Sequence, residues 1–151
     1  MSVNSNFKDL LSLFNDFQVE YLVVGGYAVM AYTEPRYTKD LDLWIRANQE
    51  NGSKVFHALK AFGAPLADMT INDFAYEGYF YQMGIPPVRV DILMSIKGVS
   101  FNEAWSNRTL FDFDGIAVPF ISKQDLIVSK LAAGRPQDLL DAEALAASDS
   151  G

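Results

Sequence analysis

Apolar positions change their period along the chain, and each change marks an element. Between residues 7 and 17, Leu10, Leu11, Leu13, Phe14 and Phe17 recur at helical spacing and predict an amphipathic helix packed on a sheet. Leu22, Val23 and Val24 then form a short apolar strand, Gly25 and Gly26 interrupt it, and Tyr27 to Tyr32 predict a short helix. A basic loop with Arg36 and Lys39 leads into a second strand of strict alternation. Asp40, Asp42 and Trp44 point one way there, and Leu41, Leu43 and Ile45 the other, so one face is expected in the core and the other carries carboxylates. Val55, Phe56, Leu59 and Phe62 stripe a further helix, which Gly63 stops and Pro65 follows.

Residues 66–75 show no period and predict a loop with one helical turn. Two aromatic and β-branched runs, 78–83 and 88–93, read as strands joined by a turn at Gly84 and Pro86-Pro87. In the second run Val88, Val90 and Ile92 share one face, and Arg89, Asp91 and Leu93 the other. Ser100 and Glu103 form a capping box that opens a helix over 101–107, with Trp105 as its core anchor. Residues 109–113 and 116–118 predict a hairpin around Asp114-Gly115. The stretch 122–147 predicts two helices: Ser122 caps the first, Leu126, Ile127, Leu131 and Ala132 line it, Gly134 stops it, and Pro136 sits near the start of the next. The expected fold is α/β, a small mixed, twisted sheet flanked by helices.

Composition narrows the function. With 151 residues, half of them hydrophobic, the chain suits one domain over 1–151 with a substantial core. It has no cysteine and one histidine, which excludes disulfides, thiolate zinc sites and imidazole metal clusters. His57 lies with Ser53 and Lys60 away from the apolar stripe and is expected in solvent. No signal segment opens the chain and no apolar run is long enough to cross a bilayer, so a cytoplasmic protein is expected. A net charge of −7 argues against binding nucleic acid by nonspecific phosphate contacts alone.

The chemistry concentrates between Tyr21 and Arg46. Side chains two apart on a strand share a face at roughly 6.5 to 7 Å, so Asp40 and Asp42 repel unless a cation lies before them. Mg²⁺ or Mn²⁺ would relieve the conflict, and Mg²⁺ is commonly held by one or two carboxylates plus substrate phosphates. A strand turning through Gly25-Gly26 into a helix offers backbone N–H groups and a positive dipole end to those phosphates. Alone, Asp-Leu-Asp is an ordinary acidic surface strand and Gly-Gly an ordinary tight turn; their order is what points to a site. Arg36 and Lys39 either draw a nucleotide in or only offset the aspartates. Asp91 by itself reads as an edge or ion-pair residue. No Walker loop or Gly-x-Gly-x-x-Gly fingerprint competes. A second Asp-x-Asp, Asp112 and Asp114, ends in a Gly turn and follows no glycine-helix element.

The pattern Gly25-Gly26, then Arg36-x-Thr38-x-Asp40-x-Asp42, resembles the nucleotidyltransferase superfamily typified by DNA polymerase beta. The Arg-x-Thr-x-Asp-x-Asp form is similar to small bacterial nucleotidyltransferases related to the AbiEii toxins. This resemblance implies that Asp91, in Val90-Asp91-Ile92, is a third carboxylate on a strand beside the first two. Asp40, Asp42 and Asp91 would then be the catalytic and metal-binding set of a two-metal phosphoryl-transfer site, and Gly25, Gly26, Arg36 and Thr38 would contact the nucleotide. The segment Lys130 to Asp141 resembles the tail in which a lysine and an Arg-x-x-Asp element close the site, which implies a triphosphate contact for Lys130. Arg135 pairing with Asp138 or Asp141 is the structural alternative. The implied activity is metal-dependent transfer of a nucleoside monophosphate from an NTP to a hydroxyl on RNA, protein or a small molecule, a toxin–antitoxin setting included. Many relatives add a helical acceptor-recognition domain; here a partner protein or a second copy would supply that surface. A glycosyltransferase also uses Asp-x-Asp but lacks the preceding glycine-helix element. A catalytically inactive nucleotide-binding or antitoxin-type module would keep the fold and lose the chemistry.

Overall fold

A six-stranded mixed sheet organises the computed structural model of the chain, which describes residues 5–36, 38, 40–84 and 89–148. In chain order the elements are α1 (Ser5–Asp16), β1 (Tyr21–Val24), α2 (Gly25–Tyr32), β2 (Asp40–Ile45), α3 (Gln49–Phe62), a 3-10 turn (Ile71–Phe74), β3 (Phe80–Met83), β4 (Arg89–Leu93), α4 (Phe101–Ser106), β5 (Thr109–Phe113), β6 (Ile116–Phe120), α5 (Lys123–Ala133) and α6 (Pro136–Ala147). The strand order is β3-β4-β2-β1-β6-β5. The central pair β1–β2 is antiparallel, β2–β4 and β1–β6 are parallel, and antiparallel β3 and β5 form the edges. All four residues of β1 are buried, so helices cover both faces of the sheet at its centre. α1 packs on α3 and β6, while α2 packs on α5 and α6.

The α/β expectation therefore holds, and each predicted element is present near its predicted place. Five local readings change. The glycine pair does not precede α2 but forms its first turn, because Gly25 takes a φ of +67° that lets the strand enter the helix without a linker. The carboxylate face of β2 is solvent-accessible only at its start, since Trp44 is buried edge-on against Phe101 with ring centroids 5.0 Å apart. Ala104, not Trp105, is the buried residue of α4; Trp105 stacks on Phe101 and carries the Arg108 guanidinium 4.0 Å above its ring. Leu131 is 56% exposed and Ala132 is exposed, because α5 turns Leu126 and Ile127 inward and points the next turn away. Phe17 lies past the end of α1 and is exposed. Lys39, Val88 and the Pro86-Pro87 turn lie outside the described residues.

One buried polar side chain ties the sheet to α3. Asn51 accepts from the Glu20 amide at 2.8 Å and donates to the carbonyls of Glu20 and Arg46 at 3.0 and 2.9 Å, joining the entry of β1 to the exit of β2. Asn51→Ala leaves three backbone groups without these partners, at a cost of about 1–3 kcal/mol for each that stays dry. Thermal or urea unfolding should therefore show a loss of at least ~2 kcal/mol. A change under ~0.5 kcal/mol would mean that water replaces the side chain without loss.

Candidate active site

The site begins with a register. β2 and β4 run parallel with Asp42 opposite Asp91 and Asp40 opposite Arg89, β3 places Gln82 opposite Asp91, and β1 places Val24 opposite Asp42. Cross-strand partners share a face, so Gln82, Asp91, Asp42 and Val24 form one row, with neighbouring strands about 4.8 Å apart. The sheet thus brings Asp40, Asp42 and Asp91 together on one face. The row ends at Gly25, where α2 starts.

Gly25 is glycine for two reasons. Its positive φ disfavours any L side chain, and a Cβ there would collide with Oδ2 of Asp42. The backbone at the start of α2 therefore lies directly against the carboxylate. No side chain caps this helix, so its first amides point outward as an anion seat. Gly26 is constrained by space alone: a Cβ there would lie 2.5 Å from Oγ1 of Thr38 and 3.7 Å from Nη2 of Arg36. Gly26, Thr38 and Arg36 are thus neighbours. A cleft of about 500 Å³ opens beside them, lined by Gly25, Gly26, Asp42, Lys97, Lys130 and Arg135 among others.

Lys130, in this cleft, and Arg36, beside Gly26, are both already paired. Arg36 donates to Asp141 of α6 at 2.6 and 3.4 Å, while the Lys130 ammonium lies 3.0 Å from Asp141 and 3.5 Å from Asp138. Arg135 holds Asp138 from the exposed side at 2.6 Å, the structural pairing expected for it. Burial alone would raise the Asp141 carboxyl, but hydrogen bonds from Arg36, Gln137 and Lys130 outweigh it and hold the group below its usual range. Asp138 is lowered chiefly by its hydrogen bond from Arg135. α6 is thereby fixed by ionised carboxylates to the loop that carries Thr38. His57 is exposed, as expected, and Asp112 and Asp114 belong to the β5–β6 hairpin.

The carboxylates themselves are strained electrostatically. Burial, then the charge of Asp91 and a hydrogen bond shared with it, then Asp40, push the Asp42 carboxyl up to about 7, with Lys130 opposing. Asp42 therefore holds its proton far more readily than an ordinary carboxyl does. Oδ1 of Asp40 is buried and has no hydrogen-bond partner among the described residues. Arg89, which the sequence placed only on the face of Asp91, lies between the others, its Nε 3.4 Å from Asp91 and 3.6 Å from Asp40. Among the described residues no three His, Cys, Asp or Glu side chains converge into a complete metal cluster. The donors nonetheless fit a partial site for a hard divalent cation: two facing carboxylates, an orphaned oxygen beside them, and the uncapped start of a helix one residue away.

A mixed sheet thus carries in-register carboxylates that face the uncapped start of a glycine-led helix. Residues 2–150 match the family described as "Nucleotidyltransferase of unknown function (DUF6036)", and the chain belongs to that family. Among solved structures it is similar to the lincosamide antibiotic adenylyltransferase LnuA bound to lincomycin (17% identity, TM-score 0.60, 96% of this chain and 97% of that one). It is also similar to ANT(2")-Ia in complex with adenylyl-2"-tobramycin (14%, TM-score 0.61, 94% and 86%). A third similarity is to an antigenic nucleotidyltransferase-like protein from Paracoccidioides brasiliensis (15%, TM-score 0.57, 93% and 74%). At these identities the likeness is one of fold. No curated protein matches the chain.

The raised Asp42 carboxyl has a consequence of definite sign. The folded state raises Asp42 from 3.8 to about 7, so across that window it keeps a proton that the unfolded chain has released. Stability from this group is therefore greatest on the acid side and falls as pH rises through the window. Metal-free protein should melt at a lower temperature at about pH 8 than at about pH 5; Asp42→Asn should flatten that difference, and millimolar Mg²⁺ should raise the melting temperature at the higher pH. A wild-type melting temperature that rises across this range, or a slope that Asp42→Asn leaves intact, would contradict the assignment.

Proposed function

We propose that the protein transfers a nucleoside monophosphate from an NTP to a hydroxyl of a small acceptor molecule, with Mg²⁺ or Mn²⁺ held by Asp42 and Asp91 and with Asp40 beside them. The observation that carries this reading is the row Gln82–Asp91–Asp42–Val24, which ends at the uncapped amides of Gly25 and Gly26. Such a row orders the reaction in space. The triphosphate rests on the start of α2, with Thr38 and the cations Arg36 and Lys130 around it. When bound, the metal would polarise the α-phosphate and neutralise charge on its oxygens. The acceptor comes from the far end of the row, over edge strand β3. There the acceptor O–P bond forms as the bond to the β-phosphate oxygen breaks, pyrophosphate leaves, and Asp91 takes the hydroxyl proton.

Two features favour a small acceptor over nucleic acid. The net charge of −7 repels a polyanion, whereas a neutral or cationic molecule meets no such barrier. The approach offers Gln82 and the 63% exposed ring of Phe80, which pairs with Leu93 on the same face as Asp91. LnuA and ANT(2")-Ia, similar in fold over most of the chain, are described with lincomycin and an adenylylated tobramycin respectively. The test is incubation with each α-labelled NTP and Mg²⁺ or Mn²⁺, alongside hydroxylated small molecules, total RNA and cellular protein. Transfer to a small molecule is expected. Label on RNA would replace the acceptor and favour the toxin-type role that the AbiEii-like tail suggests; nucleotide binding without transfer to any class would leave an inactive binding module.

Asp91 separates binding from chemistry. Asp91→Ala should keep NTP affinity within about tenfold, ~1.4 kcal/mol, yet lose nearly all transfer. Melting temperature, NTP affinity and transfer rate on one preparation decide the point. A stable variant with near-parental transfer would remove Asp91 from the reaction.

A further inference from the structure

Among the described residues, Arg89 is the one cation within salt-bridge distance of the row's carboxylates. It lies two residues before Asp91 on β4 and opposite Asp40 on β2, so strand geometry alone sends its side chain to the same face as both. Its Nε sits between them, 3.6 Å from Asp40 and 3.4 Å from Asp91, and the side chain remains 33% exposed while that of Asp91 is 13% exposed. Among the described residues no cation forms an ion pair with Asp42: Lys130, whose charge reaches it, is paired with Asp141 at 3.0 Å.

We infer that Arg89 is a built-in counter-cation that fills the position between Asp40 and Asp91, so that the site without nucleotide takes a single divalent ion, on Asp42 and Asp91. This rests on the metal-dependent reading above and narrows it, since that reading leaves the number of ions open. Charge bookkeeping agrees. Three carboxylates less one guanidinium leave two negative charges, which one divalent cation cancels. Geometry agrees as well. A small divalent ion needs its oxygens at about 2.1 Å and a near-octahedral shell, and a guanidinium lying between the two carboxylates, hydrogen-bonded to Asp91 at 3.4 Å, takes the space such an ion would need. A planar, always-charged, weakly hydrated group suits that place better than an ammonium would. Any second metal must then arrive with the triphosphate.

Mn²⁺ binding to the full chain without nucleotide, followed by electron paramagnetic resonance, tests this independently of turnover. Wild type should bind one Mn²⁺ per chain. Arg89→Gln, which removes the charge, should take up a second ion and keep the affinity of the first within about tenfold. Arg89→Lys should stay at one, and a melting curve establishes that each variant is folded. Two ions on the wild type, or one on a folded Arg89→Gln protein, would overturn the role of Arg89 while leaving the nucleotidyltransferase reading in place. No Mn²⁺ on the wild type would overturn the metal-dependent reading itself, and this inference with it.

Discussion

Like charge held in register is the constraint on which the site depends. Parallel pairing of β2 with β4 sets Asp42 directly opposite Asp91, and alternation on β2 adds Asp40 to the same face. Left alone, such an arrangement opposes folding, and the structure shows where the opposition is relieved. Asp42 is pushed toward its protonated form, Arg89 lies between Asp40 and Asp91, and the Gly25 backbone closes on Asp42 where any side chain would clash. Among the described residues one oxygen of Asp40 is left with no partner. A fold selected for stability alone would not retain this set; a site that has to accept a cation would.

Behind the row, the opposite solution is used. Asp138 and Asp141 are almost fully buried, yet Arg36, Lys130, Arg135 and Gln137 hold them, so both remain ionised. Removing one partner from such a buried cluster is costly because the remaining charge is stranded. The cluster makes α6 a strut for the loop bearing Thr38 and for the Lys130 side of the cleft. Rigidity beside Thr38 and Lys130 and electrostatic tension at the carboxylates are therefore separate devices, built on different elements.

Much of this was legible in the sequence because it rests on short-range rules. Strict alternation from Asp40 to Ile45 reproduces β2 to the residue, and the caps at Ser122 and Gly134 bound α5 as the pattern implies. That Asp91 belongs beside Asp42 came only from the family resemblance, since no local pattern tells which strand neighbours which. The Arg36–Asp141 pair joins residues 105 apart, and nothing local could announce it. Arg89 carried a faint signal, a basic residue two before Asp91 on one strand face, but an edge ion pair explained it equally well. Leu131 misled because helical periodicity marks an apolar stripe without saying where the stripe runs out of neighbours.

The account turns on a cation and a phosphate meeting at the junction of Asp42, Asp91 and Gly25. Anomalous diffraction from crystals grown with Mn²⁺ and a non-hydrolysable NTP analogue addresses that junction directly. The account predicts a manganese peak between Asp42 and Asp91, with phosphate oxygens on the amides that open α2. Nucleotide bound elsewhere, or manganese bound away from Asp42 and Asp91, would contradict it.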